Sequence, residues 1–362
     1  MSDKFKIGRR AFIAATLLAA AKPREAAAQG FAGLGGSSQG FAPVVPGLAL
    51  EFPRDHGPHK NFRIEWWYVT ANLQDASGAR YGVQWTLFRQ ATIAGAEGAG
   101  WDNRQLWMGN AAVTSMDRHY FAERLARGGV GQAGADADPF HAWIDSWDVR
   151  RGENFSPRTI SPLTMAAAGA NFEFSLQMIA TQPLVLQGDG GYSQKSERGQ
   201  ASYYFSQPFF RARGSIAFDG KPFEVTGQAW MDREWSSQPL ASDQTGWDWL
   251  SLHLDSGEKV MLFRLRQKDG GNFFAGNWIG ADGQSMQLAP QTIEMMPKNF
   301  TEIEGRRIPT SWVVAIAGRD LNVDISPLNP KSWMGTRFAY WEGPISFRGS
   351  HTGAGYLEMT GY

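Results

Sequence analysis

Residues 81–89 read Tyr-Gly-Val-Gln-Trp-Thr-Leu-Phe-Arg, with a large apolar side chain at every second position from Tyr81 to Leu87. An aromatic run, Glu-Trp-Trp-Tyr at residues 65–68, and a turn signal at Ser77-Gly78 precede this stretch. Alternation with a period of two is typical of a half-buried β-strand, and a Ser-Gly pair between two such runs indicates a hairpin. The sequence therefore predicts an aromatic antiparallel hairpin as its building unit.

A second copy of this unit lies near residue 250. Its aromatic strand is Trp247-Asp248-Trp249, its turn is Ser256-Gly257, and its returning strand ends at Phe263-Arg264 as the first copy ends at Phe88-Arg89. Two such repeats in a chain of 362 residues predict two domains. Aromatic hairpins also recur in any tryptophan-rich β-protein, so the pattern alone leaves the repeat open.

The composition predicts an all-β fold. The chain has 42 Gly, 23 Phe, 15 Trp and 9 Tyr, which supply turns and pleated aromatic faces. A short segment around residues 120–126, from Tyr120 to Ala126, is the best helical candidate. Closure into a barrel removes exposed strand edges and leaves room for one ligand. We therefore expect two tandem lipocalin-like (calycin) antiparallel barrels, over residues 51–205 and 206–362.

Composition also excludes several classes of site and partner. Because the chain has no cysteine, it has no disulfide and no thiolate that could act as a nucleophile or bind a metal. Its formal net charge is zero, and no basic stretch is interleaved with aromatic residues. A nucleic-acid partner is therefore not expected.

The first 28 residues have the features of an export signal. Arg9 and Arg10 precede an apolar run over residues 11–21, and Ala26-Ala27-Ala28 forms a cleavage site. The run is shorter than the roughly 20 residues that span a bilayer as a helix, so no transmembrane anchor is expected after cleavage. The arginine pair indicates twin-arginine export to the periplasm or beyond, with an ordinary secretory signal as the alternative. Residues 29–50, rich in Gly, Ser, Ala and Pro, are predicted to be a flexible linker.

The strongest candidate for chemistry is residues 230–235, Trp-Met-Asp-Arg-Glu-Trp. On a strand, Trp230, Asp232 and Glu234 share one face, and these three are the candidate catalytic residues. A carboxyl group beside an indole in an apolar cavity has a raised pKa and can protonate an alkene. The indole can stabilise the resulting carbocation by cation–π attraction. An isoprenoid is the substrate class that this chemistry suits.

Two further interpretations involve ionic groups. Asp232 or Glu234 could instead form a structural ion pair with Arg233 or Arg264. His56 and His59 are weak candidates for metal ligands, but Gly57 and Pro58 between them indicate a turn whose histidines bond to the backbone. No cofactor is expected.

Other aromatic and charged side chains of the hairpins and of their neighbouring strands are predicted to contact an apolar ligand. These are Trp66, Tyr68, Trp85, Arg89, Tyr203, Trp235, Trp247, Asp248, Trp249 and Arg264.

Six ordered motifs resemble the AttH-type lipocalin-like family, which is related to the carotenoid 1,2-hydratases (hydroxyneurosporene synthases). They are Asp55-His56-Gly57-x-His59, Glu65-Trp66-Trp67-Tyr68, Trp230-x-Asp232-Arg233-Glu234-Trp235, Gly246-Trp247-Asp248-Trp249, Tyr340-Trp341-Glu342-Gly343 and the terminal residues 355–362. The resemblance covers nearly all of the chain after the signal and implies two lipocalin-like barrels.

The resemblance also implies an activity. The hydratases add water across the terminal double bond of an acyclic carotenoid without a redox cofactor. Of their proposed catalytic residues, an Asp in a Tyr-x-Asp stretch corresponds to Asp232, with Trp230 in the tyrosine position. A His-x-Trp pair corresponds to Tyr203-x-Phe205, so this chain lacks the histidine.

Three functional hypotheses follow. The first is a cofactor-free enzyme, of the hydro-lyase type, that hydrates or isomerises its ligand by acid catalysis through Asp232. The second is a non-catalytic periplasmic protein that carries a lipid or isoprenoid to a membrane transporter. The third is a structural protein whose barrels are filled by their own aromatic side chains. A cavity of about 300 Å³ or more distinguishes the first two from the third.

Overall fold

The structure is a computed structural model that describes residues 37–362. The predicted signal at residues 1–28 and residues 29–36 of the predicted linker lie outside the described residues. The described part consists of strands joined by turns, with single-turn 3-10 helices at Arg54–His56, Gly100–Asp102 and Pro290–Thr292. None of its helices is long and apolar enough to cross a membrane.

The first sheet has 13 strands. They are β1 (Ile64–Gln74), β2 (Arg80–Ala91), β3 (Gln105–Thr114), β4 (His119–Arg127), β5 (Ala133–Ala137), β6 (Phe140–Ile144), β7 (Trp147–Ser156), β8 (Ser161–Ala168), β9 (Phe172–Ala180), β10 (Val185–Leu186), β11 (Tyr192–Gln194), β12 (Ala201–Phe218) and β13 (Lys221–Ser236). Their order is β4-β3-β2-β1-β13-β12-β9-β8-β7-β6-β5, and β10 and β11 pair with β12. The sheet curls until β3 and β4 contact β6, which makes it a near-closed barrel.

The second sheet has ten strands. They are β14 (Gln244–Leu254), β15 (Lys259–Gln267), β16 (Asn272–Ile279), β17 (Ser285–Gln287), β18 (Ile293–Ile303), β19 (Arg306–Ile316), β20 (Leu321–Pro327), β21 (Trp333–Met334), β22 (Tyr340–Gly349) and β23 (Gly353–Thr360). Their order is β17-β16-β15-β14-β23-β22-β20-β19-β18, and β21 pairs with β22. Contacts between β16 and β18 bring this sheet close to closure as well. The all-β fold with two tandem lipocalin-like barrels is therefore confirmed.

The two barrels share one plan, as the sequence repeat predicts. In each barrel the first strand pairs with the second strand and with the last, since β1 lies between β2 and β13 and β14 lies between β15 and β23. Glu65 lies directly opposite Arg89 in the first hairpin, and Asp248 lies opposite Arg264 in the second. Each of these cross-strand pairs forms a buried salt bridge.

Each barrel interior is filled by its own side chains. Alternate residues of β1 and β2, among them Trp67 and Trp85, point into the first core. Leu250, Leu252 and Trp312 lie in the second core. The predicted filling of the barrels by their own aromatic residues therefore holds for both interiors.

A third apolar cluster joins the two barrels. It combines Tyr68, Tyr204 and Trp230 of the first barrel with Trp249 and Tyr356 of the second. The barrels approach so closely at Gly82 that a Cβ atom there would lie 2.4 Å from Cγ of Pro344. Only a glycine allows this contact without displacement of one barrel.

Three sequence predictions are corrected. The boundary between the barrels lies after residue 236 and not at 205/206, because β12 pairs with β9 and β13, and β13 pairs with β1. Residues 120–126 form part of strand β4, because pairing with β3 outweighs their weak local helix preference. Residues 42–50 are not a free linker, since the backbone of Val45 exchanges hydrogen bonds with the Tyr203 hydroxyl and Leu50 packs beside it.

Candidate functional site

A cavity of about 650 Å³ lies between the two barrels. Its walls come from the outer faces of β1–β4, β12 and β13 on one side and of β14, β15, β22 and β23 on the other. Pro239 and Leu240, in the segment that joins the barrels, complete it. The volume is well within the range of pockets that enclose small organic ligands.

The cavity wall is mostly aromatic and aliphatic. Its aromatic members are Trp66, Tyr68, Phe88, Trp101, Trp107, Tyr204, Trp247, Trp249, Phe263, Phe338 and Tyr340. Trp101, Leu106 and Leu125 are also 74%, 48% and 43% exposed, so they form an apolar mouth open to solvent. Arg127 and Arg337 line the cavity too, and both are exposed. The cavity therefore opens to solvent at a partly apolar mouth that also carries two cationic side chains.

Asp232 is the central polar group of this wall, and its side chain is buried. Three neutral donors hold its carboxyl group: the Tyr204 hydroxyl at 2.7 Å from Oδ2, and the Ser206 hydroxyl at 2.5 Å and the Trp230 indole N–H at 2.6 Å from Oδ1. No salt bridge within residues 37–362 includes Asp232. Burial raises its pKa to about 7, although the three hydrogen bonds oppose this shift.

The hydrogen-bond pattern determines which oxygen carries the proton. The indole N–H of Trp230 can only donate, so Oδ1 must accept. We therefore assign the proton of neutral Asp232 to Oδ2, where the Tyr204 hydroxyl, which donates to the carboxylate form, becomes the acceptor. That hydroxyl also accepts a hydrogen bond from the Trp249 indole at 3.2 Å, which fixes its position. Asp232 is thus a buried acid with a defined proton position on the wall of an apolar cavity.

Glu234 lies two residues further along the same face and has a different environment. Its carboxylate accepts a short hydrogen bond from Ser202 and pairs with the Lys195 ammonium group at 2.9 Å. The Lys195 ammonium group also lies 4.2 Å from the centre of the Phe263 ring. The alternative of a structural ion pair therefore applies to Glu234, with Lys195 as the partner and neither Arg233 nor Arg264.

Glu358 is a second buried acid of the wall. It accepts a hydrogen bond of 2.5 Å from the Trp247 indole, and burial raises its pKa to about 7, with a further contribution from the charges of Asp232 and Glu234. Glu342 lies directly opposite Glu358 on the neighbouring strand. Burial also raises the pKa of Glu342 well above its usual value. At neutral pH the cavity therefore holds carboxyl groups that can both donate and accept protons.

The structure brings six of the predicted site residues to the cavity wall. These are Trp66, Tyr68, Asp232, Glu234, Trp247 and Trp249. Trp230 lies just behind the wall, where it packs against Trp249 and positions Asp232. The prediction that Trp230, Asp232 and Glu234 share one face is therefore confirmed.

The other six predicted ligand contacts lie away from this cavity. Trp85 is in the first core, Tyr203 and Trp235 pack against the segment before β1, and the remaining three belong to buried ion pairs. Those three are Arg89, Asp248 and Arg264. These six side chains fill the barrels or close their ends, so they do not line this cavity.

The two histidines proposed as weak metal ligands have structural partners. His56 is buried, and its Nε2 lies 2.7 Å from the carbonyl oxygen of Pro157. His59 stacks on Trp235 with ring centres 3.8 Å apart and lies between Asp55 and Glu65. Within residues 37–362, no group of three or more His, Asp or Glu side chains could hold a metal ion.

Sequence reasoning missed Lys195, Tyr204 and Glu358 as cavity residues. Glu358 is the only charged residue in the strand Gly-Ala-Gly-Tyr-Leu-Glu-Met-Thr, and this isolated acid was an available signal. Lys195 carried no such signal, since it is one of many charged residues in a polar loop.

Known proteins resemble this chain in sequence and in fold. Residues 43–362 match the family model described as AttH-like. A crystal structure of an AttH protein from Nitrosomonas europaea is similar with a TM-score of 0.78 and 32% identity, covering 89% of this chain and 100% of that one. A comparison with the curated proteins found no match.

Two more distant solved structures share the fold. Kievitone hydratase from Nectria haematococca has a TM-score of 0.66 at 16% identity, with 89% of this chain and 96% of that chain covered. The structure of CghA with Sch210972 has a TM-score of 0.55 at 15% identity, with 90% and 97% covered.

Proposed function

The chain belongs to the AttH-like family, and on this premise we propose that it binds an apolar, isoprenoid-like molecule between its barrels and hydrates it by acid catalysis. One observation carries the proposal: Asp232 is buried on the wall of an apolar cavity of about 650 Å³, and only neutral groups donate to it. Such a carboxyl group keeps its proton near neutral pH and faces the space that a ligand would occupy.

The cavity residues supply both a donor and an acceptor for the protons of the proposed hydration. Asp232 donates its Oδ2 proton to one alkene carbon, and the π electron pair forms the new C–H bond. The carbocation left on the other carbon is stabilised by the indole faces of Trp66, Trp247 and Trp249. Water then forms the C–O bond and gives its proton to the Glu358 carboxylate. The net change is the addition of one water molecule, and a proton passed back to Asp232 restores the enzyme.

The lack of a histidine at Tyr203 fits this assignment. The Tyr203 side chain faces residues 44–50 and not the cavity, so it cannot reach a ligand held there. In this chain Tyr204, the next residue, has the contact with Asp232. The proton partner of Asp232 is therefore a tyrosine hydroxyl on the cavity side of the strand.

The proposal is tested by incubating the purified protein with an acyclic isoprenoid such as farnesol in ¹⁸O-labelled water. We expect a product heavier by one labelled water molecule, formed at a rate that falls as the pH rises above about 7, because deprotonation of Asp232 removes the acid. Binding without any labelled product would contradict catalysis and would favour a carrier that supplies a membrane transporter.

Replacing Trp230 by Phe is expected to move this pH dependence upward by about 1 unit. The substitution removes a hydrogen bond to the carboxylate form of Asp232, and such a bond stabilises the charged form. The measurement is kcat as a function of pH. Trp85→Phe is the matched control, since the Trp85 indole N–H is buried without a hydrogen-bond partner among the described residues, in the first core. An unchanged midpoint in Trp230→Phe would show that Trp230 only fills space.

We also propose that the protein is exported through the twin-arginine route, on the basis of Arg9, Arg10 and the cleavage site at residues 26–28. Replacing both arginines by lysine is expected to retain the full-length precursor in the cytoplasm of the producing cell. Fractionation followed by immunoblotting measures this. Normal export of that variant would indicate an ordinary secretory signal instead.

A further inference from the structure

A row of polar side chains crosses the outer face of the first barrel inside the cavity. Asp232 lies directly opposite Tyr68, Tyr68 opposite Thr86, and Thr86 opposite Asn110, on the adjacent strands β13, β1, β2 and β3. Directly opposed residues project to the same face of a sheet. All four line the cavity, so the row leads from the acid to a second polar site.

Three buried polar atoms in this row or beside it lack hydrogen-bond partners of regular geometry among the described residues. They are Oδ1 of Asn110, Oε1 of Gln84 and the hydroxyl of Tyr68. Asn110 is 0% exposed and Gln84 is 1% exposed. Native proteins rarely leave buried polar atoms unpaired, and a cluster of them beside a cavity indicates a place where a ligand supplies the partners.

The second barrel contributes to the same cluster. The Tyr340 hydroxyl accepts hydrogen bonds from the amide groups of Asn110 at 3.3 Å and Gln84 at 3.5 Å. These bonds turn the two amide carbonyl oxygens away from Tyr340. The Glu342 carboxyl lies close to the hydroxyls of Tyr68 and Tyr340, but neither of its oxygens forms a hydrogen bond of regular geometry.

We propose that this cluster, formed by Tyr68, Gln84, Asn110 and Tyr340, binds a hydroxyl group of the ligand. A hydroxyl group donates one hydrogen bond and accepts two. It can therefore donate to the Asn110 or Gln84 carbonyl oxygen and accept from Tyr68. A hydrocarbon of the same shape would leave these atoms unpaired and would bind more weakly.

The position of the cluster defines the substrate class more closely. Asn110 is three strands from Asp232, and neighbouring strands are about 4.8 Å apart, so the two ends are separated by about 14 Å. If the acid role of Asp232 holds, the substrate is an acyclic isoprenoid alcohol whose hydroxyl group lies no more than about 14 Å from the reacting double bond. This part of the inference rests on the proposed function, whereas hydroxyl binding does not.

The test compares farnesol with 2,6,10-trimethyldodeca-2,6,10-triene, a hydrocarbon of matching chain that lacks the hydroxyl group. Both compete with the apolar fluorescent probe N-phenyl-1-naphthylamine for the Asp232→Asn protein, in which turnover cannot disturb the measurement. We expect the alcohol to bind at least about tenfold more tightly than the hydrocarbon. Equal affinities, or no displacement by the alcohol, would overturn the proposal and indicate that the cluster binds water only.

Two variants locate the effect. Asn110→Leu should reduce the preference for the alcohol to less than about threefold and leave hydrocarbon affinity unchanged or higher. Tyr340→Phe keeps the ring and should weaken alcohol binding in the same direction, which covers the case that Asn110→Leu does not fold. Tyr356→Phe, a buried tyrosine of the same interface that does not line the cavity, should change neither affinity.

The outcomes separate the two proposals. A preference for the alcohol that survives in Asn110→Leu and Tyr340→Phe would overturn hydroxyl binding at this cluster. A preference that depends on these residues, in a protein that converts neither compound, would support hydroxyl binding and contradict the proposed hydratase activity.

Discussion

Replacing Asp232 by Asn is expected to lower the hydration rate by about 10²–10⁴-fold and to make the protein more stable at neutral pH. The rate falls because an amide cannot donate the proton that the alkene needs. The hydrogen bonds survive, since the amide oxygen can accept from Ser206 and Trp230 as Oδ1 does now. The amide N–H group can donate to the Tyr204 oxygen in place of the carboxyl proton.

The gain in stability follows from the raised pKa of Asp232. Its pKa is about 7 in the folded protein and 3.8 in the unfolded chain. Between these pH values Asp232 is ionised in the unfolded chain but protonated in the folded protein. Wild-type stability therefore falls as the pH rises from about 4 to 7. The total effect is about 4 kcal/mol, at about 1.4 kcal/mol for each pKa unit. Asp232→Asn removes this loss, so the two proteins should be equally stable at pH 3 and differ at pH 7.

Thermal or urea unfolding at several pH values measures the difference. Glu358 carries a similarly raised pKa, so some loss of stability with pH should remain in Asp232→Asn. Asp248→Asn is the matched control, because Asp248 is equally buried but pairs with Arg264 and Arg266 outside the cavity. That variant should lose stability at pH 7. Full hydration activity in Asp232→Asn would remove Asp232 from the mechanism.

Much of the architecture could be predicted from the sequence because period-two alternation is a local signal. The hairpin around residues 65–89 and its repeat near residue 250 follow from alternating aromatic residues and Ser-Gly turns. The shared face of Trp230, Asp232 and Glu234 follows from the same periodicity, and the cavity wall confirms it for the two acids.

The position of the cavity could not be predicted in this way. Alternation shows which residues share a face, but not which face points into a barrel. Trp85 and Trp66 both belong to aromatic strands, yet Trp85 fills a core and Trp66 lines the cavity. The choice depends on how the second barrel packs against the first, which is set by contacts between residues far apart in sequence. For the same reason the structure was needed to identify Lys195 and Glu358 as cavity residues. They lie 39 and 124 residues from Glu234 in the sequence.

Replacing Glu65 by Ala is expected to destabilise the protein by about 3–5 kcal/mol. Glu65 is 0% exposed and pairs with Arg89 and, at 2.6 Å, with Arg233. The His59 backbone N–H also donates to both carboxylate oxygens. Removing this carboxylate leaves two buried guanidinium groups without their counter-charge, and a domain has only about 5–15 kcal/mol of stability in total.

Glu65 should change stability with pH in the opposite direction to Asp232. Burial alone would raise the pKa of Glu65, but the charges of Arg89 and Arg233 outweigh it and hold the pKa well below its usual 4.5. Its stabilising contribution is therefore present above pH 4.5 and is lost as the pH falls below that value. Glu65→Ala should thus lose most stability at neutral pH and differ less from wild type in acid, as urea unfolding would measure.

A surface pair provides the control for this prediction. Glu51 pairs with Arg54 at 2.9 Å, but both side chains are more than half exposed, so Glu51→Ala should change stability by less than about 1 kcal/mol. If Glu65→Ala were as stable as Glu51→Ala, the buried ion pair would not be needed to hold β1, β2 and β13 together. Because the strand that carries Glu65 also carries Trp66 and Tyr68, loss of this ion pair should reach the cavity as well as the core. Ligand affinity should therefore fall in Glu65→Ala even at temperatures where most molecules remain folded, although Glu65 itself does not line the cavity.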